Sequence, residues 1–283
     1  MNPYRNKQRL VRAGLILTTV LFAAFLGATH ISCAAPGRSG GGQAGSRAMM
    51  IVAENHLYAV STRSWGGNTL ETFRLSENGE NKVSSVPMMR GVETIRAHGK
   101  LLFFGTNTGL LIYSIENPAK PRYISRHRHF RACDPVVVQG RYAFVTMEIG
   151  PSCIINSQGE RVRAGRKTNW RFPGRLHVYD VKVPHQPIRL HSYNMKEPGG
   201  LGVDGNSLFV LDGPEGLKIF AIGKNGALTE KGRLSDIHGY DLIAYQGRLY
   251  VIEKRSIRLY SYNAAKPGAL QALGRLHFGV PGQ

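Results

Sequence analysis

The sequence contains few cysteines and few acidic residues. Three cysteines leave room for at most one disulfide bridge beside one further cysteine. The chain has 18 acidic and 37 basic residues, which gives a formal net charge of +19. This excess favours anionic partners such as polysaccharide, lipid headgroups or nucleic acid, and it carries no information about the fold.

Recognisable catalytic motifs and helical periodicity are also missing. No Ser/His/Asp arrangement, paired metal-binding histidines or Gly-rich phosphate loop stands out. No long helical period occurs after residue 34. These absences argue against a helical domain and against the common nucleophilic, metal-dependent and phosphate-binding enzymes, so we expect neither a cofactor nor a metal.

The N-terminal residues have the pattern of an export signal. A basic stretch without acids precedes an apolar run over residues 13–28, which is short for a membrane span of about 20 residues. We assign residues 1–32 to a signal peptide. Its removal leaves 33 basic and 18 acidic residues and a formal charge of +15.

Cys33 follows this run in the sequence Ile31-Ser32-Cys33-Ala34. A small residue before a cysteine at the end of an export signal resembles a lipoprotein processing site, which predicts lipidation of Cys33. His30 departs from the usual pattern, so cleavage near Ala34 and an uncleaved anchor stay open. Residues 33–48, rich in Gly, Ser and Ala, predict a flexible tether.

A repeated hairpin dominates the rest of the chain. Five apolar segments share alternating hydrophobic residues, a polar turn and a second run rich in aromatic and β-branched residues: 51–60, 94–104, 135–145, 200–210 and 242–251. Gly and Asn tolerate a left-handed backbone, so one column of them predicts a tight turn made five times. The column is Asn55, Gly99, Gly140, Asn206 and Gly247.

A third strand follows each hairpin, and its aromatic residue falls in register. The aromatic residues are Phe73, Tyr113, Tyr179, Phe220 and Tyr260. A weaker fourth strand completes each unit, and the turn-to-turn spacings of 44, 41, 66 and 41 residues suit propeller blades. We therefore predict an all-β fold, a β-propeller of five four-stranded blades over residues 49–283. No strand is visibly exchanged between the first and last blades. Ring closure would then rest on blade-to-blade packing, with a ring that this chain alone does not close as the alternative.

These segments resemble the LVIVD-repeat family of β-propellers. The third-strand segments LLIYS (110–114), LHVYD (176–180) and LKIFA (217–221) are variants of the repeat that names the family. Two longer stretches, ACDPVVVQGRYAFVT and GLGVDGNSLFVLDGPEGLKIF, resemble a subgroup of exported lipoproteins typical of Bacteroidetes. The resemblance implies an exported propeller without an established enzymatic activity, and it leaves the ligand open.

Acidic residues precede the hairpin turn by six positions in three of the five units. Glu93, Asp134 and Asp241 would begin innermost strands at the mouth of the central channel, where they could hold a cation or act in catalysis. The alternative is that each carboxylate caps backbone amides in its own turn. Gly200 and Met49 interrupt the column, which favours capping.

A basic insertion lengthens the third unit at about residues 148–174. Basic residues interleaved with aromatic residues suit ion pairing and stacking with anionic ligands, although a solvated loop would have the same composition. The candidate ligand-binding residues are Arg161, Arg163, Arg166, Lys167, Trp170 and Arg171.

Cys133 and Cys153 would lie on the same face of this blade. In an oxidising compartment we expect them to form a disulfide, with a free thiol as the alternative. A bridge would close a loop of about 20 residues and stabilise the fold by roughly 3 kcal/mol.

Together these features predict a noncatalytic binding or scaffolding propeller of the bacterial cell envelope, and not an enzyme. Its partner would be an anionic glycan, a lipid or a protein, with the membrane reached through the lipid anchor and no nucleic acid bound. We place it at the outer membrane or cell surface, or in the periplasm if the anchor is absent. The alternatives are a purely structural role in an envelope assembly and a propeller hydrolase or lyase that uses the acidic residues at the channel mouth.

Overall fold

The computed structural model describes residues 48–62, 67–77, 79–128, 135–147, 154–155, 161–162, 174–263 and 265–278. These residues form five four-stranded antiparallel sheets and one two-stranded ladder. The prediction of five four-stranded blades is confirmed.

Each blade runs in chain order from its innermost to its outermost strand. Blade 1 is β1 (Met50–Ala53), β2 (His56–Thr62), β3 (Asn68–Ser76) and β4 (Gly79–Met88); blade 2 is β5 (Val92–His98), β6 (Leu101–Thr106), β7 (Gly109–Ser114) and β8 (Arg122–Arg128); blade 3 is β9 (Val136–Gln139), β10 (Tyr142–Met147), β13 (Gly174–Asp180) and β14 (Ile188–Met195); blade 4 is β15 (Pro198–Asp204), β16 (Ser207–Asp212), β17 (Leu217–Ile222) and β18 (Leu228–Leu234); blade 5 is β19 (Asp241–Tyr245), β20 (Arg248–Ile252), β21 (Ser256–Asn263) and β22 (Lys266–His277). The short strands β11 (Ile154–Ile155) and β12 (Arg161–Val162) pair with each other between β10 and β13.

The tight hairpin turns form largely as the Gly and Asn column predicts. Asn55, Gly99, Gly140 and Gly247 have positive φ values between 54° and 73°. In blade 4 the left-handed residue is Gly205 instead of Asn206. The turn consists of two residues between Asp204 and Ser207, and Gly205 is the first of them. The Gly and Asn column therefore contains first turn residues in some blades and second turn residues in others. Residues aligned by this column are offset by one structural position between the two groups of blades.

The blades pack through four apolar clusters, one between each pair of consecutive blades. Each cluster combines an aromatic residue on the second strand of one blade with an aromatic residue on the third strand of the next. The pairs are Tyr58 with Tyr113, Phe103 with Tyr179, Phe144 with Phe220, and Phe209 with Tyr260. All eight side chains are at most 6% exposed, so burial of these rings stabilises every interface.

The same register leaves one aromatic residue half-buried at each end of the series. Phe73 occupies the third-strand position in blade 1, the first of the described blades, and Tyr250 occupies the second-strand position in blade 5, the last of them. Within the described ranges no apolar cluster joins blade 5 to blade 1. Among the described residues, blades 1 and 5 therefore each contribute to one apolar cluster and the inner blades to two.

This arrangement predicts different costs for equivalent substitutions in blades 4 and 5. The ring of Phe209 is fully buried, and its centroid lies 4.7 Å from that of Tyr262. Phe209→Ala leaves a cavity there, so we expect a loss of about 3–5 kcal/mol in the free energy of unfolding. Tyr250→Ala removes a half-buried ring and should cost clearly less. Denaturant unfolding measures both values, and equal costs would show that blade 5 is covered.

Candidate functional site

The candidate site lies where the innermost strands begin. The links from one blade to the next and from the second to the third strand reach this face, because the strands alternate in direction within each sheet. β5 and β19 begin here, and each contacts its neighbouring innermost strand. The innermost strands thus bring the first residues of different blades together around a central axis.

Glu93 is displaced from the ladder by a β-bulge. The register between β5 and β6 shifts between Val92 and Thr94, so Glu93 has no ladder partner in β6. Such bulges re-aim a side chain at the end of a sheet. Glu93 is half-buried, and one of its carboxylate oxygens is shielded from solvent.

Arg96, on the innermost strand of blade 2, is a buried cation that was not identified as a site residue from the sequence. The residue is 6% exposed, and burial lowers the pKa of its guanidinium to about 10, although the negative charge of Asp241 opposes the shift. The guanidinium stays protonated at neutral pH. Because Arg96 belongs to blade 2 and Asp241 to blade 5, the two charges attract each other across the axis.

Asp241 is 5% exposed and begins β19. Its Oδ1 accepts a hydrogen bond from the Leu242 amide at 2.9 Å, so part of its role is the local capping considered above. A Cβ atom at Gly200 would lie 2.5 Å from both the Cα and the Oδ1 of Asp241. The glycine that interrupts the acid column therefore provides the space for the neighbouring carboxylate.

His98 extends the group along the same strand. Burial and the positive charge of Arg96 lower the pKa of His98 below its ordinary value, although a hydrogen bond to the Gly140 backbone opposes the shift. Since Thr94, Arg96 and His98 alternate along β5, they share one side of the strand. These three polar side chains therefore lie on the side of β5 that faces away from the apolar cluster shared with blade 1.

The ladder separates the two acids that the sequence placed in one column. Asp241 is opposite Ile252, and the equivalent residue of blade 2 is Thr94, opposite Gly105. Glu93 lies one residue earlier. The sequence column thus contains two different structural positions, and both are at the start of an innermost strand.

Several predicted site residues lie outside the described residues. The side chain of Arg161, at the start of β12, is likewise not described. The others are Cys33, Cys133, Asp134, Cys153, Arg163, Arg166, Lys167, Trp170 and Arg171. The lipidation, the disulfide and the ligand contacts of the insertion stay predictions.

The described ranges contain neither a candidate metal site nor a candidate membrane-spanning helix. No three His, Cys, Asp or Glu side chains there are grouped in a way that could hold a metal ion. No helix in the described part of the chain is long and apolar enough to cross a membrane.

Comparison with known proteins gives structural similarity without sequence similarity. No protein-family model and no curated protein sequence matches the chain. Many solved structures match, among them three at 10–14% identity. A functionally unknown protein from Desulfotomaculum acetoxidans matches with a TM-score of 0.59 and 10% identity, over 82% of this chain and 70% of that one.

The other two structures are described as lactonases. A candidate 6-phosphogluconolactonase from Bacteroides fragilis has a TM-score of 0.56 and 13% identity, over 81% of this chain and 69% of that one. The periplasmic gluconolactonase of Pseudomonas aeruginosa has a TM-score of 0.55 and 14% identity, over 80% and 68%. This chain has a β-propeller fold similar to that of these proteins.

These neighbours correct two of our predictions. We predicted a noncatalytic binding or scaffolding propeller and no enzyme, and the lactonase neighbours contradict both. They favour the alternative of a propeller hydrolase. The expectation was wrong because it relied on the absence of linear motifs, whereas a propeller assembles a site from separate blades.

Gly200→Ala should destabilise the start of β19. The added methyl group would collide with the Asp241 backbone and carboxylate, so we expect a loss of about 1–3 kcal/mol in the free energy of unfolding. Gly67→Ala is the matched control, because nothing lies within 4 Å of a Cβ atom there. Equal unfolding free energies for the two variants would contradict the contact.

His98 should make the protein less stable in mild acid. The pKa of His98 is lower in the folded than in the unfolded chain, so the unfolded chain binds more protons below about pH 6.5. The free energy of unfolding therefore decreases as the pH decreases. His98→Gln should flatten the slope of unfolding free energy between about pH 7 and 5. Urea unfolding across this range tests it, with the exposed His185→Gln as control. An unchanged slope in His98→Gln would refute the assignment.

Proposed function

We propose that this chain is an exported hydrolase that opens a lactone, the cyclic ester of a small polyhydroxy acid, at the mouth of the propeller. The observation that carries the proposal is the burial of Arg96 on the innermost strand of blade 2, within the electrostatic influence of Asp241 from blade 5 and three residues from the bulged Glu93. The lactonases among the structural neighbours support the choice of reaction.

Arg96 has the chemistry to stabilise an oxyanion. When water adds to the carbonyl carbon of a lactone, the carbonyl oxygen becomes negatively charged. A guanidinium donates hydrogen bonds in a fixed plane, and its charge acts more strongly in a buried site than in water. We assign Arg96 to the carbonyl oxygen of the substrate.

Glu93 is the general base in this proposal. Its carboxylate accepts a proton from the attacking water, whose oxygen forms a bond to the carbonyl carbon. The tetrahedral intermediate then expels the ring oxygen, which takes the proton from Glu93. The products are a carboxylic acid and a hydroxyl group on one open chain, so water is fully accounted for.

Asp241 is a positioning residue. Its negative charge opposes the burial cost of Arg96 and favours the protonated guanidinium. The Leu242 amide and the space over Gly200 hold its carboxylate in place. This role needs no contact between Asp241 and the substrate.

Two finer assignments remain proposals beside the reaction. Residues 1–32 support export, and Cys33 supports a lipid anchor at the outer membrane or cell surface. The third-strand segments support membership of the LVIVD-repeat family. Neither assignment changes the chemistry proposed for the channel mouth.

Glu93→Gln tests the proposed function. The variant keeps the size of the side chain and removes the base, so kcat for gluconolactone should fall by about 100-fold or more. Proton release above the spontaneous rate, followed in a pH-stat, measures the activity. Glu116→Gln, on an exposed link far from the channel mouth, is the control and should leave kcat unchanged.

Two results would overturn the proposal. One is a wild-type protein that does not accelerate gluconolactone hydrolysis or that of related sugar lactones. The other is a Glu93→Gln variant that is as active as Glu116→Gln. Unfolding curves for both variants separate loss of catalysis from loss of folding.

A further inference from the structure

A second polar site lies between blades 3 and 4, on the face where the innermost strands begin. It is a cleft of about 320 Å³ lined by Arg175, Asn194, Met195, Lys196 and Lys218. Its size is at the lower end of ligand pockets in proteins, which suits a small ligand. The proposed hydrolase site does not use any of these residues.

Strand pairing fixes one wall of the cleft. Arg175 on β13 is directly opposite Asn194 on β14, so both side chains leave the sheet on the same side. Met195 follows with 3% exposure, and Lys196 continues the chain into the link to blade 4. A guanidinium from β13, an amide from β14 and an ammonium group from the link after β14 therefore come together at one end of the sheet.

Lys218 on β17 supplies a third cation from the neighbouring blade. Its side chain is 8% exposed, and its Nζ lies 2.5 Å from Oδ2 of Asp212, which is fully buried. The Nζ lies 4.0 Å from Glu215, a residue that also binds Arg233. An ammonium group carries three donors, so the bond to Asp212 leaves donor capacity that can face the cleft.

Asp212 also fixes the chain beside the cleft. Its Oδ1 accepts hydrogen bonds from the backbone amides of Lys196 and Glu197, at 2.8 and 2.9 Å. The Glu197 side chain lies over Gly213, and Glu197 does not line the cleft. The buried carboxylate thus holds Lys218 and the backbone of Lys196 in one arrangement before any ligand arrives.

The charges of the cleft select the class of ligand. Three cations line it, and the buried Asp212 neutralises one of them, which leaves a formal charge of two at the surface of the cleft. The planar fork of arginine and the point charges of lysine match the oxygens of a phosphate group. A monocarboxylate would neutralise half of this charge.

We propose that this cleft binds the phosphate group of a small phosphorylated solute. The proposal goes beyond the hydrolase assignment and does not rest on it, because it concerns different residues and a binding equilibrium.

Calorimetric titration of the full chain with inorganic phosphate tests the proposal. We expect saturable binding that Lys196→Gln weakens by about tenfold, because a charge-assisted hydrogen bond is lost while the backbone amide that binds Asp212 is kept. Arg175→Gln should have a similar effect, and acetate should bind more weakly than phosphate.

Lys231→Gln is the matched control. Lys231 lines a cleft of about 430 Å³ between blades 4 and 5, at the opposite ends of the strands, where Lys266 is the other cation. Phosphate affinity should be unchanged in this variant. Absence of saturable phosphate binding by the wild type, or equal weakening by Lys196→Gln and Lys231→Gln, would overturn the proposal.

The source of the phosphate group is settled by two further ligands. Glycerol phosphate should displace inorganic phosphate if the ligand is a soluble ester. Vesicles that contain phosphatidic acid present the same phosphate group from a membrane. Binding to these vesicles that requires Lys196, together with no displacement of inorganic phosphate by glycerol phosphate, would contradict a soluble ligand. Because no readout depends on hydrolysis, failure of this proposal is distinguishable from failure of the lactonase assignment.

Discussion

The fold depends on one repeated contact, in which an aromatic ring on the second strand of a blade packs into the same cluster as an aromatic ring on the third strand of the next. A single four-stranded sheet cannot bury both of its faces, and this contact covers one face of each blade with a neighbour. Four such interfaces make the blades rigid enough to hold polar groups near the axis. The position of Arg96 follows from them, because Phe103, opposite Arg96 in the ladder, is fixed in the interface with blade 3.

Arg96 imposes the strongest electrostatic constraint. A buried guanidinium without opposite charge would be strongly destabilising, and the carboxylate that attracts it comes from a blade three repeats later. The site is therefore tied to the correct assembly of the blades. The pair Asp212 and Lys218 shows the same principle within one blade, where a buried carboxylate orders both a side chain and the backbone of a neighbouring link.

Much of the fold could be predicted from the sequence, because turns and aromatic residues repeat with the blades. The turn glycines and the column from Phe73 to Tyr260 report local backbone geometry and periodic burial, which act over a few residues. The candidate site could be predicted less completely from the sequence. Glu93 and Asp241 were found, but the bulge that separates them in register depends on pairing with β6. Arg96 looked like one polar residue in an apolar strand, and Lys218 like the polar position of an alternating strand, since their partners are distant in the chain.

The number of apolar interfaces per blade has a consequence for motion. Among the described residues each inner blade takes part in two apolar clusters and blades 1 and 5 in one, so local opening of these two blades breaks fewer apolar contacts and their amide hydrogens should exchange first. Asp241 is carried by one of these end blades. Local opening of blade 5 would therefore weaken the attraction between Asp241 and Arg96, so the electrostatics of the candidate site depend on how firmly the last blade is packed.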